Sequence, residues 1–326
     1  MQLSSDWFNA PLYTTSFKGE EMHAELPALL SRKRFGHIHS LFDNGINIAM
    51  GEELIFIGTT KNGRLPFGIH MEMERLQRLR QSVRLHDIVV ASMPELLLFR
   101  HPSYPLALDL SQAKRYQYKL RTEQYNSYLD LYHTDQMVEI CRRWGISNGL
   151  DAIWGAVPAA SPAQADSPND LSIGVQFPLE TLFDAIRIGE ERSIEQHLRY
   201  YLGRGQGLTP SGDDILLGIL AVQALTAAFH PSLLEQMDRI LSTEQITTDV
   251  SKAYLKHALH GRFSDKVVAV LNAMMQKDVS HFQAAVVRLL QTGHSSGIDT
   301  AYGIANAVMA LRRYKHVKTS CDCIGR

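Results

Sequence analysis

The stretch Gly207-Leu-Thr-Pro-Ser-Gly-Asp-Asp-Ile-Leu-Leu-Gly218 sets Thr209, Ser211, Asp213 and Asp214 directly ahead of a run, Ile215 to Phe229, that holds no charge. Hydroxyls of this kind donate to phosphate or carboxylate oxygens. Two adjacent carboxylates suit magnesium, which takes one or two protein carboxylates and leaves its other positions to water and substrate. Gly203-Arg-Gly-Gln-Gly207 comes just before, and a Gly-rich lead into a helix lets backbone N–H groups surround an anion. The pattern then recurs. Ser211-Gly-Asp-Asp214-Ile-Leu-Leu-Gly218-Ile219 and Ser296-Gly-Ile-Asp299-Thr-Ala-Tyr-Gly303-Ile304 share S-G-x-D-x-x-x-G-I, and His294 and Ser295 precede the second copy. Two such helix starts brought together would form a polar pocket for a small anion inside an apolar bundle.

A second reading of the same residues is purely structural. Ser-x-x-Asp before an apolar run is a capping box, in which the serine accepts from the backbone three residues on and the acid reaches back. Ser211 with Asp214, and Ser296 with Asp299, fit it. Capping leaves Asp213, His294 and the glycines without a task, so both readings stay open. The glycine triplet lacks the preceding strand and third spacing of a dinucleotide fingerprint, and no Gly-Lys-Ser/Thr follows it. His37 and His39 would share a strand face, and His257 and His260 a helix face. A solvated strand and a helix C-terminus account for them without a metal. Arg64 and Arg262 could each grip a carboxylate or phosphate with two parallel hydrogen bonds.

The elements that must carry these residues fall into two kinds. Residues 35 to about 120 read as closely spaced strands: His37–Phe42, Ile46–Met50, Leu54–Ile57, Ile88–Ala91, Leu96–Phe99 and Leu106–Leu108. Asp43-Asn-Gly45 and Lys61-Asn-Gly-Arg64 are turn signals between them. A basic stretch, Met71 to Arg84, looks helical. Residues 122–144 follow a 3.6-residue period, and residues 156–170 are rich in Pro, Ala, Ser and Asp, as a linker or insert would be. Beyond Pro178 the pattern predicts helices over 178–202, 213–229, 231–242, 248–260, 264–276, 279–292 and 298–314. The expected fold is therefore α+β, with a β-rich barrel- or sandwich-like part (1–121), a connecting segment (122–177) and a helical bundle (178–326).

Bulk properties exclude several classes. A net charge of −1 over 326 residues gives no electrostatic basis for nucleic-acid binding. The N-terminus lacks the basic and apolar regions of a signal peptide, and no apolar run reaches the roughly 18 residues a membrane helix needs. A cytoplasmic protein is expected. Three cysteines, Cys141, Cys321 and Cys323, do not make a disulfide framework, and Cys321-Asp-Cys323 reads as a polar tail.

Residues 203–220, GRGQGLTPSGDDILLGIL, resemble the signature G-x-G-L-T-P-S-G-D-D of a bacterial family whose members include AllH-type subunits of oxamate carbamoyltransferase. Gly36–Phe42 with Asn47-Ile48, Val250–Leu255 through Gly261–Phe263, and Gly293–Asp299 are similar to it as well. The stretch Lys61–Pro66 matches only loosely. The resemblance implies a carbamoyl group moving between oxalurate and phosphate, giving oxamate and carbamoyl phosphate, in anaerobic allantoin breakdown, with partner subunits completing the enzyme. On that reading Asp213, Asp214 and His294 would be catalytic. Thr209, Ser211, Gly212, Ser296, Asp299 and Arg262 would bind substrate, with magnesium at Asp213 and Asp214 as the candidate cofactor. The alternative is a non-catalytic assembly or small-molecule-sensing subunit.

Overall fold

The computed structural model describes residues 15–100, 106–122, 133–144 and 179–322. It divides into two units, Met1–Tyr118 and Lys119–Arg326.

The first unit is one ten-stranded sheet, curled as a half-barrel. Its strands are β1 (Thr15–Lys18), β2 (Glu21–His23), β3 (Phe35–Phe42), β4 (Gly45–Met50), β5 (Glu53–Gly58), β6 (Gly68–His70), β7 (Ile88–Met93), β8 (Leu96–Phe99), β9 (Leu106–Asp109) and β10 (Lys114–Tyr116). They lie in the order β1-β9-β8-β7-β3-β4-β5-β6-β2-β10. β3, β4 and β5 form the meander that the turn signals predict, with Phe42 opposite Gly45 and Met50 opposite Glu53. A register shift between Ile38 and Ser40 bends β3, as an irregular residue in a curling sheet should.

The β-rich part takes the barrel-like of its two expected forms, because the described strands join a single curled sheet. β1, β2, β6 and β10, which carry no alternating run, extend it. Three of the pairings, β1–β9, β10–β2 and β5–β6, are parallel, and the first two join segments distant in sequence. Helices α1 (Leu26–Arg32) and α2 (Met73–Ser82) add Leu26, Leu30, Leu76 and Leu79 to a core built on Ile38, Ile46, Ile48, Ile55, Ile57, Val89 and Leu97.

The second unit is helical. It comprises α3 (Thr134–Trp144), α4 (Leu179–Ile188), α5 (Glu191–Tyr201), α6 (Ser211–Thr226), α7 (Ser232–Thr243), α8 (Asp249–Leu259), α9 (Asp265–Met274), α10 (Val279–Leu290) and α11 (Ser296–Asp322). The single helix expected over 178–202 is two. Gly189, at φ +73°, turns the chain, and Glu190 then caps α5 by accepting from Ser193 N–H. Thr248, Ser264 and Asp278 cap α8, α9 and α10 in the same way.

α6 has no polar face, and 14 of its 16 residues are buried. A helix apolar all round belongs at the centre of a bundle. It packs chiefly against α11, whose Ile298, Ala301, Ile304, Ala305 and Val308 are buried. The 156–170 segment and Cys323 lie outside the described residues. Among the described residues no helix is long and apolar enough to cross a membrane.

Candidate functional site

The two copies of the repeated motif form the centre of the helical unit, and they touch reciprocally. A β-carbon at Gly218 of α6 would stand 2.2 Å from the Thr300 carbonyl oxygen of α11. A β-carbon at Gly303 of α11 would stand 2.1 Å from the Ile215 carbonyl oxygen of α6. Thr300 and Ile215 are themselves equivalent positions of the motif. The helices therefore cross about a local two-fold relation, and each is admitted to the other's backbone by its glycine.

The second glycine of each motif has an equivalent task. Gly212 lies against the Tyr201 carbonyl at the end of α5, and Gly297 against the Leu289 carbonyl near the end of α10. In both cases a β-carbon would come within 2.0 Å. Gly212 N–H donates to Arg204 O at 2.8 Å, and Gly297 N–H to Thr292 O at 3.0 Å.

The capping-box expectation is corrected. Pro210, with no side-chain cap, occupies the N-cap of α6, and Ser211 is the first residue inside the helix. The N–H groups of Asp213 and Asp214 both reach Pro210 O. Ser295 plays the same part for α11, accepting from Ile298 and Asp299 N–H. The register is one residue earlier than the box requires, so neither serine caps.

That shift sends the aspartates elsewhere. Asp213, 1% exposed, accepts from Gly203 N–H at 2.9 Å and from the Thr247 hydroxyl, with Ser251 donating as well. Burial pushes its carboxyl above the ordinary range, and these three donors counter the shift in part. Asp213 thus ties the Gly-rich loop 203–210 to the segment before α8. Thr248 Oγ1 adds a second tie, donating to Leu208 O at 2.5 Å.

Asp214 points the other way, toward α11. Burial raises its carboxyl well above the ordinary range. The Ser296 and Thr209 hydroxyls lower it, while the neighbouring charges of Asp299 and Asp213 raise it further. Its Oδ2 has no hydrogen-bond partner. Asp299, its counterpart in the second copy, is fully buried. Burial and the neighbouring charge of Asp299 both favour the protonated form of Asp214. Over them Thr209 Oγ1 and Ser296 Oγ lie 2.9 Å apart, linking the start of one helix to the start of the other. Tyr254 of α8 feels the Asp214 charge, and its hydroxyl is pushed up, mainly by burial.

The residues singled out from sequence are therefore only partly gathered. Thr209, Asp214, Ser296 and Asp299 share one place, and Ser211 and Gly212 open the same turn. His294 sits exposed in the loop before α11. Arg262 follows the far end of α8, its N–H donating to His257 O at 3.0 Å. Asp213 and Asp214 diverge, and among the described residues no group of three or more His, Cys, Asp or Glu could hold a metal ion. A magnesium shared by those two carboxylates does not fit this geometry. Arg64 does grip a carboxylate, but it is that of Glu21 in its own unit. Thr247, Ser251 and Tyr254 were not singled out as site residues. Thr247-Thr248-Asp249, a hydroxyl pair ahead of an acid, was the available signal.

Fold and site together define an α+β protein whose helical unit turns on two crossed copies of one motif, with a buried acid pair at the crossing. Residues 201–308 match the family model described as oxamate carbamoyltransferase subunit AllH, and residues 15–115 match the AllH family N-terminal domain. The chain belongs to the AllH family. No solved structure matches it.

Proposed function

We propose that this chain is the subunit of an oxamate carbamoyltransferase that holds the small anionic substrates at the paired starts of α6 and α11. Its complex would move a carbamoyl group between oxalurate and phosphate in anaerobic allantoin degradation, in the cytoplasm, with further subunits as partners. The observation that carries this reading is the meeting of Asp214 and Asp299 beneath the Thr209–Ser296 bridge, in a chain of this family.

The reaction needs donors for anionic oxygens and a proton for a leaving nitrogen. Phosphate oxygen attacks the carbamoyl carbon of oxalurate, the bond from that carbon to the oxamate nitrogen breaks, and carbamoyl phosphate forms. The proton that hydrogen phosphate gives up is the one the oxamate nitrogen gains, so the step balances. The hydroxyls of Thr209, Ser211 and Ser296 donate to phosphate or carboxylate oxygens. Gly212 shapes the turn, since its N–H is committed to Arg204 O. A protonated Asp214, its carboxyl raised by burial and by the neighbouring charge of Asp299, is matched to the proton transfer. Asp213 holds the loop in place. His294, exposed in the loop before α11, donates from the rim to the charge developing on the carbamoyl oxygen, while Arg262, beyond the far end of α8, takes no part at these helix starts.

Reconstitution with the partner subunits tests this. Asp214→Asn should lower kcat by about 10²–10⁴-fold, the usual worth of a general acid or base. Ser296→Ala should raise KM for phosphate. Full activity in both variants, with normal folding, overturns the reading.

One observation favours a non-catalytic assembly or sensing role instead. The backbone donors of the first turn of α6 at Gly212, Asp213 and Asp214 are all spent internally. On that reading neither variant changes turnover, and both change only complex formation.

A further inference from the structure

Carbamoyl transfer asks for two anions at the starts of α6 and α11, a phosphate group and the carboxylate of oxamate or oxalurate. The hydroxyls placed there are neutral donors, and a cation is missing. Most arginines of the helical unit are spent. Arg187, Arg199, Arg239 and Arg313 each pair with a carboxylate.

Arg204 is different. It lies exposed in the Gly-rich loop, and its side chain makes no ion pair or hydrogen bond among the described residues. Its backbone, by contrast, is fixed from both sides. Its N–H donates to Tyr201 O at 3.0 Å, and its carbonyl accepts from Gly212 N–H at 2.8 Å. Gly203 and Gly205, at φ +72° and +117°, make the bends on either side. A β-carbon at Gly205 would stand 3.2 Å from Ser211 Oγ. Position 204 is therefore held beside the first turn of α6.

The side chain has a rest as well. The guanidinium carbon lies 4.0 Å from the centre of the Tyr200 ring. That contact engages the ring face and spends none of the five N–H donors on a hydrogen bond. The planar fork that matches a carboxylate stays open. The charge also reaches inward. Burial, with Tyr200 and Tyr302 of α11, raises the Tyr201 hydroxyl, and the Arg204 charge opposes the shift. Arg204 thus stands where the end of α5, the start of α6 and α11 converge.

We propose that Arg204 recognises the carboxylate of the organic substrate through two parallel N–H···O bonds, and so sets which amide accepts the carbamoyl group. The inference rests on the carbamoyl-transfer reading and deepens it. Phosphate is left to the hydroxyls of Thr209, Ser211 and Ser296.

Steady-state kinetics of the reconstituted complex, run from carbamoyl phosphate and oxamate, test it. Arg204→Gln should raise KM for oxamate at least about tenfold and leave KM for carbamoyl phosphate within about twofold. Arg204→Lys keeps the charge without the fork, and should show most of the same loss. Guanidinium ion added to Arg204→Ala should lower KM for oxamate again, which a merely structural role would not allow. An unchanged KM for oxamate, or an equal rise for carbamoyl phosphate, overturns the inference. If Asp214→Asn and Ser296→Ala lose activity, that failure belongs to Arg204 alone. If those two variants keep full activity, the carbamoyl-transfer reading falls and this inference falls with it.

Discussion

Gly218 and Gly303 each face a carbonyl that belongs to the other's helix, Gly218 that of Thr300 and Gly303 that of Ile215. The contact is one interaction made twice. Alanine at either position would put a methyl group about an ångström inside contact distance of backbone, which has no rotamer with which to retreat. Gly218→Ala and Gly303→Ala should each cost about 1–3 kcal/mol or more, as overpacked cores do. Chemical denaturation, followed by a probe in the helical unit, would measure it.

Asp214 offers a test with a definite sign. Its folded pKa is raised above the unfolded value. The stability tied to its protonated form is full at acid pH and is lost as pH rises through the folded pKa. Asp214→Asn removes the ionisable group while keeping the shape. The variant should therefore melt higher than the parent at pH 8, with the gap closing as pH falls toward 4. A gap independent of pH would mean the carboxyl is not perturbed.

Asp213 should behave differently from its neighbour, because its oxygens have partners. Asp213→Ala leaves Gly203 N–H and the Thr247 hydroxyl without their acceptor in a buried place. The loss should be about 1–3 kcal/mol. Amide hydrogen exchange should quicken over residues 203–210 while α9 and α10 keep their protection.

Cys141 gives an independent check on packing in the helical unit. It is buried, and burial pushes its thiol up to about 12. Almost none of it is thiolate at pH 8, and the thiolate is the reactive species. Alkylation followed by mass spectrometry should leave the Cys141 peptide unmodified in the native protein and label it fully in denaturant.

Much of the architecture was legible in the sequence where local signals act alone. Pro231 and Ser264 mark helix starts, and the predicted spans 231–242 and 264–276 correspond to Ser232–Thr243 and Asp265–Met274. The β3–β5 meander follows from Asp43-Asn-Gly45 and alternating apolar residues. What escaped depends on distant partners. Glu21–His23 and Gly68–His70 are three residues each and are strands only through their pairings, with each other and with β10 and β5. The duplicated motif was visible, and so was the centrality of its helices. The direction of each aspartate was not. It depends on a one-residue register at Pro210 and on Thr247, 34 positions away. The capping-box pattern drew attention to the right residues through a mechanism they do not use.

The crossing of α6 and α11 also sets a timetable for synthesis. Ser211 leaves the ribosome 85 residues ahead of Ser296, a wait of about 4–17 s at ordinary elongation rates. Through that interval α6, the most apolar of the described helices, has no groove to enter, because the second copy of the motif does not yet exist. A nascent chain halted between the two copies should hold α6 in a chaperone-accessible state, and release past α11 should bury both helices together.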